Sequence, residues 1–117
     1  MEYRQLGKTD LNVSAIGLGA VTFGREIDEA TAFTVMDHAL ARGINLIDTA
    51  EAYAKGRSEE VVGAWLKQSG QRDKVVLATK LIPPLTAERI PTAVEASLRR
   101  LQTDVIDLYQ IHWPLRH

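Results

Sequence analysis

Asp48, Lys80 and His112 stand 32 residues apart, and each closes a short apolar run. The runs are Ile44–Asp48, Val75–Lys80 and Val105–His112, each short enough and apolar enough for a buried β-strand. A strand–helix unit takes roughly 30 residues, so the interval sets one ionisable group at the carboxyl end of each of three successive parallel strands. Parallel α/β folds place their chemistry at that end.

The stretches between the runs support the same pattern. Tyr3 to Val13 holds two short runs around Gly7-Lys8-Thr9-Asp10, which predicts a β-hairpin. Val13 to Gly19 follows as a strand ending in small residues. A helix begins at Asp28, a capping residue, with Phe33, Met36 and Leu40 on one face and Gly43 as its stop. A second helix begins at Ser58-Glu59-Glu60, turns Val61, Val62, Trp65 and Leu66 inward and stops at Gly70. Pro83-Pro84 forbid helix. A third helix begins at Thr86 or Pro91 and buries Val94, Leu98 and Leu101. The order is hairpin, then β-α-β-α-β-α-β, which implies a parallel sheet within a single domain, residues 1–117.

Composition narrows the function classes. The net charge of −1 offers no basic face for nucleic acid, and the Arg99-Arg100 pair reads as the solvated side of a helix. Without cysteine there are no thiolate metal sites, and His38, His112 and His117 share no ligand spacing, so no metal is expected. No run is long and apolar enough to span a membrane and Met1-Glu2-Tyr3-Arg4 does not open a signal peptide, so a cytoplasmic location is expected.

Taken singly, Asp48 can be a turn cap, Tyr53 a packed loop ring and His112 a satisfied core histidine. Lys80 is harder to place structurally, because a buried ammonium costs several kcal/mol unless paired. Asp48 on the neighbouring strand is the natural partner. Together the four side chains suit protonation of a carbonyl. Asp48 would hold Lys80, Lys80 would support Tyr53 as a general acid, and His112 would hold the receiving oxygen. Gly17 and Gly19 lack the third, helix-opening glycine of a dinucleotide fingerprint.

Gly43–Ala50, with Tyr53 and Ser58–Gly63 beyond, resembles the first signature of the aldo-keto reductases. Ile16–Gly19, Ala78–Lys80, Ser97–Leu101 and Asp107–Pro114 are similar to further stretches of that family, in its order, and the wording is closest to the bacterial inositol-cluster and general-stress reductases. The resemblance implies a (β/α)8 TIM barrel with its bottom closed by the hairpin, of which this chain would supply four parallel strands and three helices. It implies NADP(H)-dependent reduction of an aldehyde or ketone without a metal. By position, Tyr53 would be the proton donor, tuned by Lys80, with Asp48 behind it and His112 orienting the substrate. Gly19, Ala20, Val21 and Asp48 would approach the cofactor, and His112 and Trp113 the substrate; many relatives carry threonine and tryptophan at the Ala20-Val21 positions.

A barrel of this kind takes about 250 residues. The 117 residues here leave out most of the expected cofactor cradle, so weak or no activity is expected of the isolated chain, and self-association through open strand edges near Ile16 and Ile111. The alternative is a non-catalytic assembly module, like the potassium-channel β subunits that resemble this family.

Overall fold

A computed structural model describes residues 1–114; His117, weighed above as a ligand, lies outside the described residues. The hairpin forms as expected: β1 (Tyr3–Gln5) and β2 (Asn12–Ser14) pair antiparallel, with Tyr3 opposite Ser14. Gly7 supplies the left-handed turn residue. Val13 belongs to this hairpin rather than to the next strand, which is only β3 (Leu18–Gly19).

Three strand–helix crossovers follow: α1 (Glu29–Ala41), β4 (Leu46–Asp48), α2 (Arg57–Ser69), β5 (Val76–Leu81), α3 (Arg89–Leu101) and β6 (Leu108–Ile111). β3, β4, β5 and β6 are neighbours in that order, all parallel, as the alternation requires. Asp28 caps α1 by accepting from the Thr31 N–H at 2.9 Å. The helix closes with Gly43 N–H on the Leu40 carbonyl and Ile44 N–H on that of Ala39, the paired bonds that a left-handed C′ glycine permits.

Tyr3 OH donates to the Gly43 carbonyl at 2.8 Å, and Asn45 bonds Asn12 and Ser14 of β2. These contacts hold the hairpin under the amino ends of the strands, opposite the end where Asp48 emerges.

The helices cover one face of the sheet. Ile47, Leu77, Met36, Val61, Val62, Trp65 and Leu101 are part of the apolar core between helices and sheet. The strand register puts Leu46 and Asp48, Ala78 and Lys80, and Leu108 and Gln110 on the other, concave face. Two helix faces differ from expectation. α1 buries Ala32, Met36 and Ala39 while Phe33 and Leu40 stay half-buried, and α3 buries Ala93, Ser97 and Leu101 while Val94 and Leu98 stay half-buried. Small residues face the sheet because the helices lie close to it. α2 meets α3 at Gly63, where a Cβ would stand 2.7 Å from the Leu101 backbone.

Arg100 is not on a solvated face. Its Nε lies 2.7 Å from Glu59 Oε1, and Glu59 is completely buried and also accepts from Thr79 Oγ1 at 2.7 Å. The fourth strand is shorter than its apolar run. The Asp107 carboxylate accepts from the Leu77 N–H at 2.8 Å, Arg72 donates to the Val105 carbonyl at 2.7 Å, and Val105 is 52% exposed. Among the described residues no helix is long and apolar enough to cross a membrane.

Candidate active site

Asp48 ends β4, and its carbonyl accepts from the Ala20 N–H at 2.9 Å. The chain beyond is pinned from below. Ser58 Oγ donates to the Ala20 carbonyl at 2.7 Å; its one hydrogen is thereby used, so Thr49 Oγ1 is the donor in the 2.8 Å bond between the two hydroxyls. Ala54, Lys55 and Gly56 then all adopt positive φ, at 51°, 55° and 93°. This left-handed stretch reverses the chain straight after Tyr53 and lets α2 begin with Ser58 buried.

The reversal lays the Tyr53 ring over Lys80. Lys80 Nζ lies 4.8 Å from the ring centroid and 3.1 Å from the hydroxyl. The same nitrogen is 2.9 Å from each Asp48 carboxylate oxygen and 2.9 Å from the Thr49 carbonyl. Only 14% of the Lys80 side chain is exposed, and these acceptors offset the several kcal/mol that its desolvation costs. The pairing of Lys80 with Asp48, read from two strand ends, is present.

His112 directly follows β6, and its N–H extends the ladder to the Leu81 carbonyl at 2.9 Å. Its ring meets Tyr53 edge-on, centroids 5.6 Å apart at 88°, and lies against Trp113 at 4.5 Å and 32°. The buried His112 Nδ1 has no hydrogen-bond partner among the described residues. Trp113 is 53% exposed at the rim. The structure therefore brings Asp48, Tyr53, Lys80 and His112 to one end of the sheet.

The loop after β3 divides. Gly19, in register with Asp48, presents bare backbone, with nothing within 4 Å of where a Cβ would stand. Val21 is exposed. Ala20 is completely buried, with its N–H and carbonyl both bonded inside the protein. A hollow of about 230 Å³ opens on the concave face, bordered by Gly19, Leu46, Asp48, Ala78, Leu108 and Gln110. A larger one of about 470 Å³ lies at the amino ends of the strands beside Arg72, Thr103 and Asp107. There the Arg72 guanidinium is spent on Thr103, Val75, Val105 and Asp107, so it has little left to offer a ligand.

Sequence reasoning missed Gln110, whose Nε2 donates to Asp48 Oδ1 at 3.2 Å. It missed Glu51 as well, which accepts from the Ile82 N–H and from Arg89. Neither residue sits in a local pattern that marks its partner.

The aldo/keto reductase family model matches residues 15–117. The aldo-keto reductase YhdN of Bacillus subtilis is 46% identical over 97% of this chain and 38% of its own length. A solved aldo-keto reductase of Bacillus halodurans in its holo form is 43% identical with a TM-score of 0.83, covering 95% of this chain and 40% of that one. An aldo-keto reductase of Klebsiella pneumoniae, solved in complex with NADPH, is 40% identical with a TM-score of 0.82, covering 91% of this chain and 37% of that one. A probable voltage-gated potassium channel subunit beta of Arabidopsis thaliana is 36% identical over 97% of this chain and 38% of its own length. The chain thus spans about two-fifths of the length of the curated relatives it matches. Its four parallel strands and three helices correspond to part of the barrel of those enzymes. This chain belongs to the aldo/keto reductase family.

Proposed function

We propose that residues 1–117 form the catalytic-acid half of an NADP(H)-dependent carbonyl reductase, with Tyr53 as proton donor. One observation carries the reading: Lys80 Nζ, fixed by Asp48 at 2.9 Å, donates to the Tyr53 hydroxyl at 3.1 Å. A phenol that gives up its proton leaves a negative oxygen, and a cation already bonded to that oxygen stabilises it without rearranging. Asp48 orients Lys80 through both of its carboxylate oxygens. His112, edge-on to Tyr53, holds the substrate oxygen beside the donor, and Trp113 walls the pocket.

NADPH, named in the Klebsiella complex, supplies hydride when bound. The residues here suit part of such a cofactor. The bare backbone of Gly19 beside Asp48 leaves room for a flat ring, and Val21 borders it. Ala20 contributes by holding that loop in place, since its backbone groups are engaged internally. The substrate is a small aldehyde or ketone, and a cytoplasmic location belongs to the same proposal. The exposed Ile16, just before the outer strand β3, and Ile111, the last residue of the outer strand β6, suit pairing with further strands. A monomer by light scattering at high concentration would refute self-association through them.

The channel-subunit relative favours a second reading, in which the chain serves assembly rather than turnover. The hydrogen-bonded set of Asp48, Lys80 and Tyr53 argues for the enzyme, because an assembly role does not need it. Grafting residues 1–117 onto the remainder of the B. subtilis enzyme YhdN tests this. The graft should oxidise NADPH with a reactive aromatic aldehyde, and Tyr53→Phe should lower its kcat at least a hundredfold, about what a general acid contributes. The 117-residue chain alone should show no turnover above background. A folded, NADPH-binding graft that is indifferent to Tyr53→Phe would refute the enzyme reading.

A further inference from the structure

We propose that Gln110 is a positioning residue that keeps the Lys80 ammonium available to Tyr53, an inference that rests on the reading of Lys80 and Tyr53 given above. An ammonium carries three N–H donors, and Lys80 Nζ faces four acceptors: both Asp48 oxygens and the Thr49 carbonyl at 2.9 Å, and the Tyr53 hydroxyl at 3.1 Å. One hydrogen has to be shared. A carboxylate competes best for it, because a charged acceptor makes the stronger bond. Tyr53, neutral and the farthest of the four, is the acceptor most easily dropped.

Gln110 changes the competition. It stands on β6 in register with Lys80 on β5, while Asp48 stands on β4, so Lys80 has the carboxylate to one side and the amide to the other. Gln110 Nε2 reaches Asp48 Oδ1 at 3.2 Å. Among the described residues, Gln110 and Lys80 are the two that donate hydrogen bonds to this carboxylate. With one oxygen served by the amide, the carboxylate is satisfied by a single shared ammonium hydrogen. The other two go to Thr49 and Tyr53. The amide is oriented with its nitrogen toward Asp48, since the reverse orientation would set two acceptors against each other. Without Gln110, Oδ1 draws a second hydrogen from Lys80 and the bond to Tyr53 weakens.

The test reads the Tyr53 oxygen directly, through the ¹³Cζ resonance of Tyr53 in the labelled 117-residue chain. Lys80→Met defines where that resonance lies when no ammonium donates. Gln110→Leu, close in size and unable to donate, should move it toward the Lys80→Met position. Gln110→Glu, which keeps the shape and replaces the donor by an acceptor, should move it the same way, so a folding failure of the leucine variant leaves the test intact. In the YhdN graft, Gln110→Leu should lower kcat roughly tenfold at little changed KM, the cost of one weakened hydrogen bond to a charged group. A Tyr53 resonance that moves in Lys80→Met but stays put in the folded Gln110 variants overturns the proposal. A resonance that ignores Lys80→Met overturns the reading beneath it instead.

Discussion

Replacing Arg100 by Met strips a fully buried carboxylate of its cation. Glu59 has no exposed surface; it holds Arg100 at 2.7 Å and Thr79 at 2.7 Å, tying α2 and α3 to the strand that carries Lys80. Removing one partner of a buried ion pair costs about 3–5 kcal/mol, because the remaining charge is uncompensated. The Arg100 side chain keeps 28% of its surface exposed, so solvent reaches that end and the lower figure applies. For a chain of 117 residues, about 3 kcal/mol corresponds to a fall of roughly 12 °C in Tm. Thermal unfolding followed by far-ultraviolet circular dichroism and calorimetry reads this directly. The triple variant Glu59→Met, Arg100→Met, Thr79→Val removes the charges and the hydroxyl that would otherwise lose its acceptor; it should recover most of the loss. A fall below about 4 °C for Arg100→Met would match an exposed ion pair and refute the buried-network argument.

Other consequences follow from the backbone and from the titratable groups. Ala54 and Lys55 hold left-handed conformations that cost about 1 kcal/mol each in an L-residue with a Cβ. Ala54→Gly and Lys55→Gly should each raise Tm by a few degrees without touching the Tyr53–Lys80 contact; a fall in Tm for both would show that the turn is unstrained. Gly63→Ala drives a Cβ into the backbone of Arg100 and Leu101 and should destabilise by about 1–3 kcal/mol, read as a drop in the urea midpoint. Burial pushes the Tyr109 hydroxyl above the usual tyrosine range, helped by the Glu51 and Glu59 charges and opposed by Arg89 and Arg100. A group raised on folding contributes stability that is whole below its unfolded value, near 10, and is lost as pH climbs through the folded value. Wild-type stability should therefore fall more steeply above about pH 10 than that of Tyr109→Phe, and parallel urea titrations of the two would disprove it.

Strand ends and glycines carried much of the fold in the sequence. Asp48 and Lys80 were readable as a pair because parallel neighbours close their strands at the same rim and a buried lysine needs an anion. The residues that hold the site steady were less readable, since their partners lie far away in the chain. Glu59 is 20 positions from Thr79 and 41 from Arg100, and Gln110 is 62 from Asp48. A faint signal exists for Glu59, an acid on the same helical stripe as Val62 and Leu66, and for Arg100, which follows Ala93 and Ser97 on α3. Read that way, two charges on apolar stripes point at each other. β6 is shorter than its apolar run, and periodicity alone does not reveal that the Asp107 carboxylate accepts the Leu77 N–H. The left-handed turn after Tyr53 carries a single glycine, so nothing marked Ala54 and Lys55 as its other members.

The central claim is that Tyr53 works through Lys80. A double-variant cycle on the YhdN graft tests it most directly, with kcat for aldehyde reduction measured in Tyr53→Phe, Lys80→Met and the combination. Residues that act as one unit are not additive. Each single substitution should lower kcat at least a hundredfold, and Lys80→Met should cost little further once Tyr53 is phenylalanine. Losses that multiply in the double variant, with the fold and NADPH binding intact, would mean that the two side chains act separately and would contradict the account.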